Sequence, residues 1–178
     1  MGEFVHSAIL CTPYYPWKKS HSRHHSYHNH IKKDYSHFWF IREKKHKIFK
    51  YPMNRVFYAI RTIIPLFAWP IYLIGIPDGG HYILYGRLWK NESYREIACG
   101  YVSSIISLLS FFTIQYMLGD LFINFYIIPW FAYGWWLFTV TFLQHHYDDM
   151  KLYRDKWTFV SGAFETIDRD YGWLVNIL

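Results

Sequence analysis

Two runs without a single charged side chain, residues 97–118 and 121–143, dominate the second half of this 178-residue sequence. At 22 and 23 residues, each is long enough to cross a hydrocarbon layer of about 30 Å as an α-helix. Only Gly119 and Asp120 separate them, so the expected unit is a tight helical hairpin whose two ends return to the same side. A soluble domain of this length could hardly bury two such helices all round. The composition agrees, because 52% hydrophobic and 23% aromatic residues are far too many for a disordered chain. The expected fold class is an all-α membrane protein built on a transmembrane hairpin.

A mean hydropathy of −0.05 conceals a split in charge. Residues 18–55 hold 11 of the 19 Lys and Arg beside only Asp34 and Glu43, so this stretch carries +9 while the whole chain carries +6. Under the positive-inside rule such a segment stays in the cytosol, and Lys151, Arg154, Lys156 and Arg169 put the C-terminal tail on the same side. The earlier apolar run, residues 56–77, contains Arg61, Pro65, Pro70 and Gly75. Prolines bend a helix and a mid-bilayer charge costs several kcal/mol, so an interfacial or partly embedded segment is expected there. The divisions are thus a cytosolic segment 1–55, an interfacial segment and loop 56–96, the hairpin 97–143 and a cytosolic tail 144–178. No signal peptide is legible at the N-terminus. Cys11 and Cys99 support neither a disulfide framework nor a four-thiolate metal site. A basic nucleic-acid binder is a weak alternative, since two uncharged spans have no place in it, and no nucleic-acid partner is expected.

Histidine carries the chemical signal. Eight of the 11 histidines fall in the first 46 residues. His21, His24 and His25 have the spacing HxxHH, which on a helix places i, i+3 and i+4 on one face. Neutral imidazoles in that arrangement suit iron, copper, nickel or zinc. His28 extends the row one turn beyond His24 and reads as a solvated histidine, whereas His30 and His37 leave the row. A second site, His145 and His146 in FLQHHYDD, follows the last apolar run and therefore emerges at a membrane surface. A hairpin brings both histidine sites to one side, and they could then meet. A third full crossing by residues 56–77 would keep them apart.

These residues resemble a known family. The run PYYPWKKSHSRHHSYHNHIKKDYSHFW resembles the second histidine box of membrane fatty acyl desaturases of the methyl-end (Δ12 and ω3) type. VTFLQHHYDD and the following DKWTFVSGAFETIDRDYG resemble the segment after the fourth transmembrane helix of that family, and FAWPIYLIGIPDGGHY resembles its WPxYL segment with the DGxH turn of nematode-like members. The resemblance covers nearly the whole chain. The first and third boxes of that family have no match here, so a fragment that is inactive by itself is expected.

The resemblance implies an O₂-dependent desaturase of acyl chains, with a non-haem di-iron cofactor and O₂ as co-substrate. It implies that His21, His24, His25 and His145 correspond to iron ligands, gives His146 no clear counterpart, and leaves His30 without a metal role. Implied partners are a fatty acyl substrate, membrane lipids and the acidic redox carrier cytochrome b5, which the basic segment could dock as readily as it could rest on anionic lipid. The implied location is the endoplasmic reticulum. A related hydroxylase or oxidase, or a non-catalytic membrane protein built on the same scaffold, are the alternatives.

Overall fold

The computed structural model describes residues 1–34, 63–76, 78–147 and 149–173. His37, His46, Arg61, Pro77 and most of the basic stretch lie outside the described residues. The described part is all-helical. A π-helical turn at Phe4–Ile9 precedes α1 (Tyr14–Ser26), α2 (Ile64–Ile74), α3 (Tyr94–Leu118), α4 (Ile128–His145) and a short α5 (Phe159–Ala163).

Helix α3 begins where Ser93 and Glu96 cap each other's backbone N–H groups, a capping box spelled SxxE in the sequence. It ends at Gly119, and a 3-10 turn (Gly119–Leu121) and a π-helical turn (Ile123–Ile127) lead directly into α4. The continuous helical stretches Tyr94–Leu121 and Ile123–His145 are 28 and 23 residues long, both sufficient to cross a membrane, which bears out the expected hairpin.

The two helices are patterned inside out. On α3 the buried residues are Gly100, Ser103, Ser104 and Ser107, while Val102, Ile105, Leu109 and Phe112 are exposed. A water-soluble helix buries the apolar row and exposes the polar one. Here small residues let neighbouring backbone approach and the apolar face is left for lipid. Ser103 Oγ donates to Glu3 and accepts from the Tyr15 N–H, and Ser104 Oγ donates to the His81 carbonyl.

Helix α2 has 11 residues, about 16 Å at 1.5 Å each, and is too short to span. It packs along α4, where Gly134 leaves no side chain: a Cβ there would come within 2.7 Å of the Trp69 Cβ. After Gly75 the chain folds back, with the His81 N–H bonded to the Leu73 carbonyl and Trp89 Nε1 to the Gly80 carbonyl. The described part of the segment expected to be interfacial is thus one short helix followed by a fold-back.

The N-terminal residues pack on the hairpin itself. The carbonyls of Ile9, Leu10 and Cys11 accept, in order, from Tyr126 Oη (2.8 Å), Trp130 Nε1 (2.9 Å) and the Tyr82 hydroxyl. Tyr126 and Trp130 precede His145 by 19 and 15 residues, about 28 and 22 Å along the helix. This part of segment 1–55 thus reaches the far half of the hairpin, and aromatic donors satisfy carbonyls that hydrocarbon would leave bare.

Removing one of those donors should be costly. Tyr126→Phe leaves the Ile9 carbonyl without its partner and is expected to destabilise the chain by about 1–3 kcal/mol. Unfolding in detergent followed by circular dichroism measures this, with Tyr116→Phe at an exposed position as the neutral control.

Candidate metal centre

Helix α1 has no side-chain cap at Pro13 and buries a single row, Pro16, Ser20 and His24, at four-residue intervals. His28 follows in the turn beyond the helix end and continues that row. His24 and His28 meet His145, the last residue of α4. His24 Nε2 lies 3.2 Å from His145 Nε2, and His28 Nε2 lies 2.7 Å from His145 Nδ1. All three side chains are buried, and their ligand nitrogens lie within 4.8 Å of one another.

The remaining ring nitrogens of His24 and His28 are held from outside the trio. His24 Nδ1 donates to the buried Asp34 carboxylate at 2.9 Å, and His28 Nδ1 donates to the Gly162 carbonyl at 2.7 Å. Such contacts fix the tautomer and aim the Nε2 lone pairs inward, the arrangement that metal-ligating histidines use. Burial pushes His28 below the usual imidazole range, with the Gly162 carbonyl acting in the opposite direction, so the ring is neutral and able to ligate. The donor set therefore fits a transition metal that prefers imidazole.

The expected residues fall into two groups. His24 and His145 belong to the trio, whereas His21 and His25 pair with each other at the exposed edge of α1, Nε2 to Nε2 at 3.0 Å, with His21 stacked on Trp17. The reading of His28 as solvated is corrected: it is 6% exposed and central to the trio. Its position four residues after His24 was the signal, and the Gly162 carbonyl that buries it comes from 134 residues away. Asp34 was also missed, since a lone carboxylate ten residues from a histidine carries no pattern. His146 turns away, with Nδ1 bonded to the Phe142 carbonyl, and His30 packs against Trp157.

The C-terminal tail closes the site. Thr158 and Ser161 cap α5, and the Trp157 indole N–H binds the His28 carbonyl. A Cβ on Gly162 would come within 2.3 Å of that carbonyl oxygen, so only glycine lets α5 approach this closely. Glu165, nearly buried, accepts from Tyr147, Tyr153 and the Lys151 N–H. Burial pushes its carboxyl up, but these three bonds outweigh that effect and hold it below the usual glutamate range.

An apolar cavity of about 190 Å³ opens beside His24. Its walls include Trp69 and Tyr72 from α2, Tyr133, Leu137 and Phe138 from α4, and Trp17 and His21 from α1. It can take an aliphatic group and bring it next to the imidazoles.

Comparison with known proteins gives a consistent picture. Residues 2–178 match the family model described as fatty acid desaturase. The chain is 34% identical to the Delta(12) fatty acid desaturase fat-2 of Caenorhabditis elegans and 33% identical to an acyl-lipid omega-3 desaturase (cytochrome b5), endoplasmic reticulum, of Arabidopsis thaliana. Each match covers 99% of this chain and 47% of the relative. The omega-3 fatty acid desaturase fat-1 of Caenorhabditis elegans is 36% identical over 92% of this chain and 40% of its own length. The chain thus spans about half the length of the curated relatives it matches. No solved structure matches it.

The tail should loosen in acid. The depressed carboxyl of Glu165 contributes stability that is present above the ordinary glutamate range of about 4.3 and is lost as pH falls through its lower folded value. Fluorescence of Trp157, recorded in detergent during acid titration with its neighbours' contribution subtracted using Trp157→Phe, should change in that window. Glu165→Gln should show the loosened signal already at neutral pH.

Proposed function

Because the chain belongs to the fatty acid desaturase family, we propose that it carries part of the metal centre and part of the acyl pocket of a membrane desaturase. The observation that carries this reading is the convergence of three buried imidazoles, His24, His28 and His145, at the side of an apolar cavity between α1, α2 and α4. The whole protein would introduce a cis double bond into a fatty acyl chain in an O₂-dependent reaction. His21, His24, His25 and His145 remain the ligand assignment that the family resemblance implies, and His28 joins them on geometry. Bound iron would supply the oxidising chemistry that an unactivated methylene requires.

The chain's own residues do the rest. Asp34 and the Gly162 carbonyl hold the Nδ1 protons of His24 and His28 so that the Nε2 nitrogens face inward. Trp69, Tyr72, Leu137 and Phe138 bind the aliphatic chain and exclude water from it. The meeting of His24 with His145 and the basic charge of the N-terminal stretch support a reading in which both histidine segments face the cytosol. The endoplasmic reticulum as location and cytochrome b5 as electron donor are read from the Arabidopsis relative's name. Relatives of both the Delta(12) and the omega-3 kind match, so the sequence similarity supports either double-bond position.

Cobalt(II), followed by its visible absorption in the detergent-solubilised chain, tests the centre. His24→Ala, His28→Ala and His145→Ala should each weaken binding by about tenfold or more, while His30→Ala and His146→Ala should leave it unchanged. Undiminished binding in His28→Ala would remove that residue from the centre. A second expectation concerns activity. Among the described residues one cluster offers three convergent imidazoles and the other a pair, and a catalytic metal site commonly takes three protein ligands. Expression of this chain in yeast lacking polyunsaturated lipids should therefore yield no new dienoic or trienoic acids against an empty vector, and their appearance would refute the proposed incompleteness.

A further inference from the structure

The WPIYL and DGGH motifs contribute no histidine to the trio, yet they meet α1 at a buried point one turn before His24. We propose that Asp78, Ser20 and Tyr72 form a clamp that sets the rotation of α1 and so aims His24 at His145; all three are positioning residues for the metal centre. The inference rests on the metal-centre reading above and concerns residues that no metal would touch.

Ser20 Oγ donates to Asp78 Oδ2 at 2.5 Å and accepts from Tyr72 Oη at 2.7 Å. Ser20 is fully buried and Asp78 is 1% exposed. A hydroxyl has one proton to give and two lone pairs to receive with, so both bonds form at once and their directions are fixed. A serine bonded to a buried carboxylate also makes a stronger contact than a neutral pair would.

The row that α1 buries explains why such a contact is needed. Pro16, Ser20 and His24 include no large apolar side chain, and Pro13 gives the helix no side-chain cap. Apolar packing depends on buried area and is non-directional, so this row by itself holds the helix against rotation only weakly. A ligand must be held within about 0.5 Å and 10–20° of its working geometry. Ser20 lies four residues before His24 on the same row, so its two directional bonds are placed to fix the ring's approach. The ion pairs from Lys19 to Glu92 (2.8 Å) and Glu96 (3.0 Å) also tie α1 to the start of α3, but they lie at the partly exposed edge, where such pairs contribute little.

The clamp's other side is firmly mounted. Tyr72 sits on α2, with its ring 4.5 Å from that of His81 and 5.6 Å from that of Trp69. Asp78 stands in the fold-back after α2, where its carbonyl accepts from the Leu88 N–H and the next residue, Gly79, bridges to Gly86. The His81 N–H is bonded to Leu73 and its carbonyl to Ser104 of α3. The loop is thereby tied to both α2 and α3 and presents Asp78 as a fixed point. Tyr72 also lines the cavity, so one hydroxyl relates the cavity wall to the helix that carries the ligand.

The test is a double-mutant cycle read by cobalt(II) affinity and visible spectrum in the detergent-solubilised 178-residue chain, with circular dichroism recording helix content. Ser20→Ala and Asp78→Ala should each weaken cobalt binding about tenfold and alter its absorption band, with helix content unchanged. The double variant should be no weaker than Ser20→Ala alone, because loss of the Ser20 hydroxyl already breaks both bonds of the clamp. Ser20→Thr, which keeps the hydroxyl, should restore the affinity and the band. Binding by Ser20→Ala equal to the unsubstituted chain overturns the clamp, as does a Ser20→Thr loss equal to that of Ser20→Ala or a double variant in which the two losses multiply. Where Asp78→Ala does not fold, the Ser20→Ala and Ser20→Thr pair decides. Failure of His24→Ala to weaken cobalt binding overturns the metal centre and the clamp with it, whereas loss in His24→Ala beside no loss in Ser20→Ala overturns the clamp alone.

Discussion

Hydrocarbon offers no hydrogen-bond partners, so every polar group placed between the two long helices has to find its partner within the protein. The buried set reflects this constraint. Among the described residues, proline aside, six apolar side chains are buried, against fifteen polar or charged ones. The interior is therefore held by directional bonds to a greater degree than a soluble core of this size would be, and the apolar side chains of α3 and α4 face outward. Ser103 and Ser104 hold the N-terminal residues and the fold-back loop, three aromatic donors cover the Ile9, Leu10 and Cys11 carbonyls, and Ser20 joins α1 to Asp78.

The same constraint makes the histidine trio possible. A water-exposed cluster of imidazoles would titrate freely and be hydrated. Here α4 delivers His145 at its last turn, α1 delivers His24 on its only buried row, and the tail covers His28 with Gly162 and Trp157. Each imidazole comes from a different local setting, and each has a reason to be where it is. The cavity adjoins the trio because α2 and α4 pack closely at Gly134 and Trp69, while α1 approaches α2 through the side chains of Ser20 and Tyr72 and α4 through those of His24 and His145. The space between is lined by rings and aliphatic groups rather than filled.

Much of this was legible in the residues. The hairpin follows from two uncharged runs and a two-residue break. The start of α3 follows from Ser93 and Glu96, and the meeting of the histidine sites from the parity of crossings. His28 was legible only in part: the four-residue interval from His24 is in the sequence, but whether that face is wet or covered depends on α5, which arrives from the far end of the chain. Asp34 and Gly162 had no local signature, because a carboxylate becomes a histidine's partner only when the fold brings the two within about 3 Å.

The sequence by itself determined the long helices and their hairpin, since run length and helical spacing are local quantities that hydrocarbon thickness and the 3.6-residue turn translate into geometry. It also determined which residue types could serve a metal. Tertiary structure decided which of them come together. His21 and His25 share a face with His24 in one dimension, yet the fold groups His24 with His28 and His145, because burial, proton placement and the approach of Asp34, Gly162 and Asp78 all depend on contacts between segments far apart in the chain.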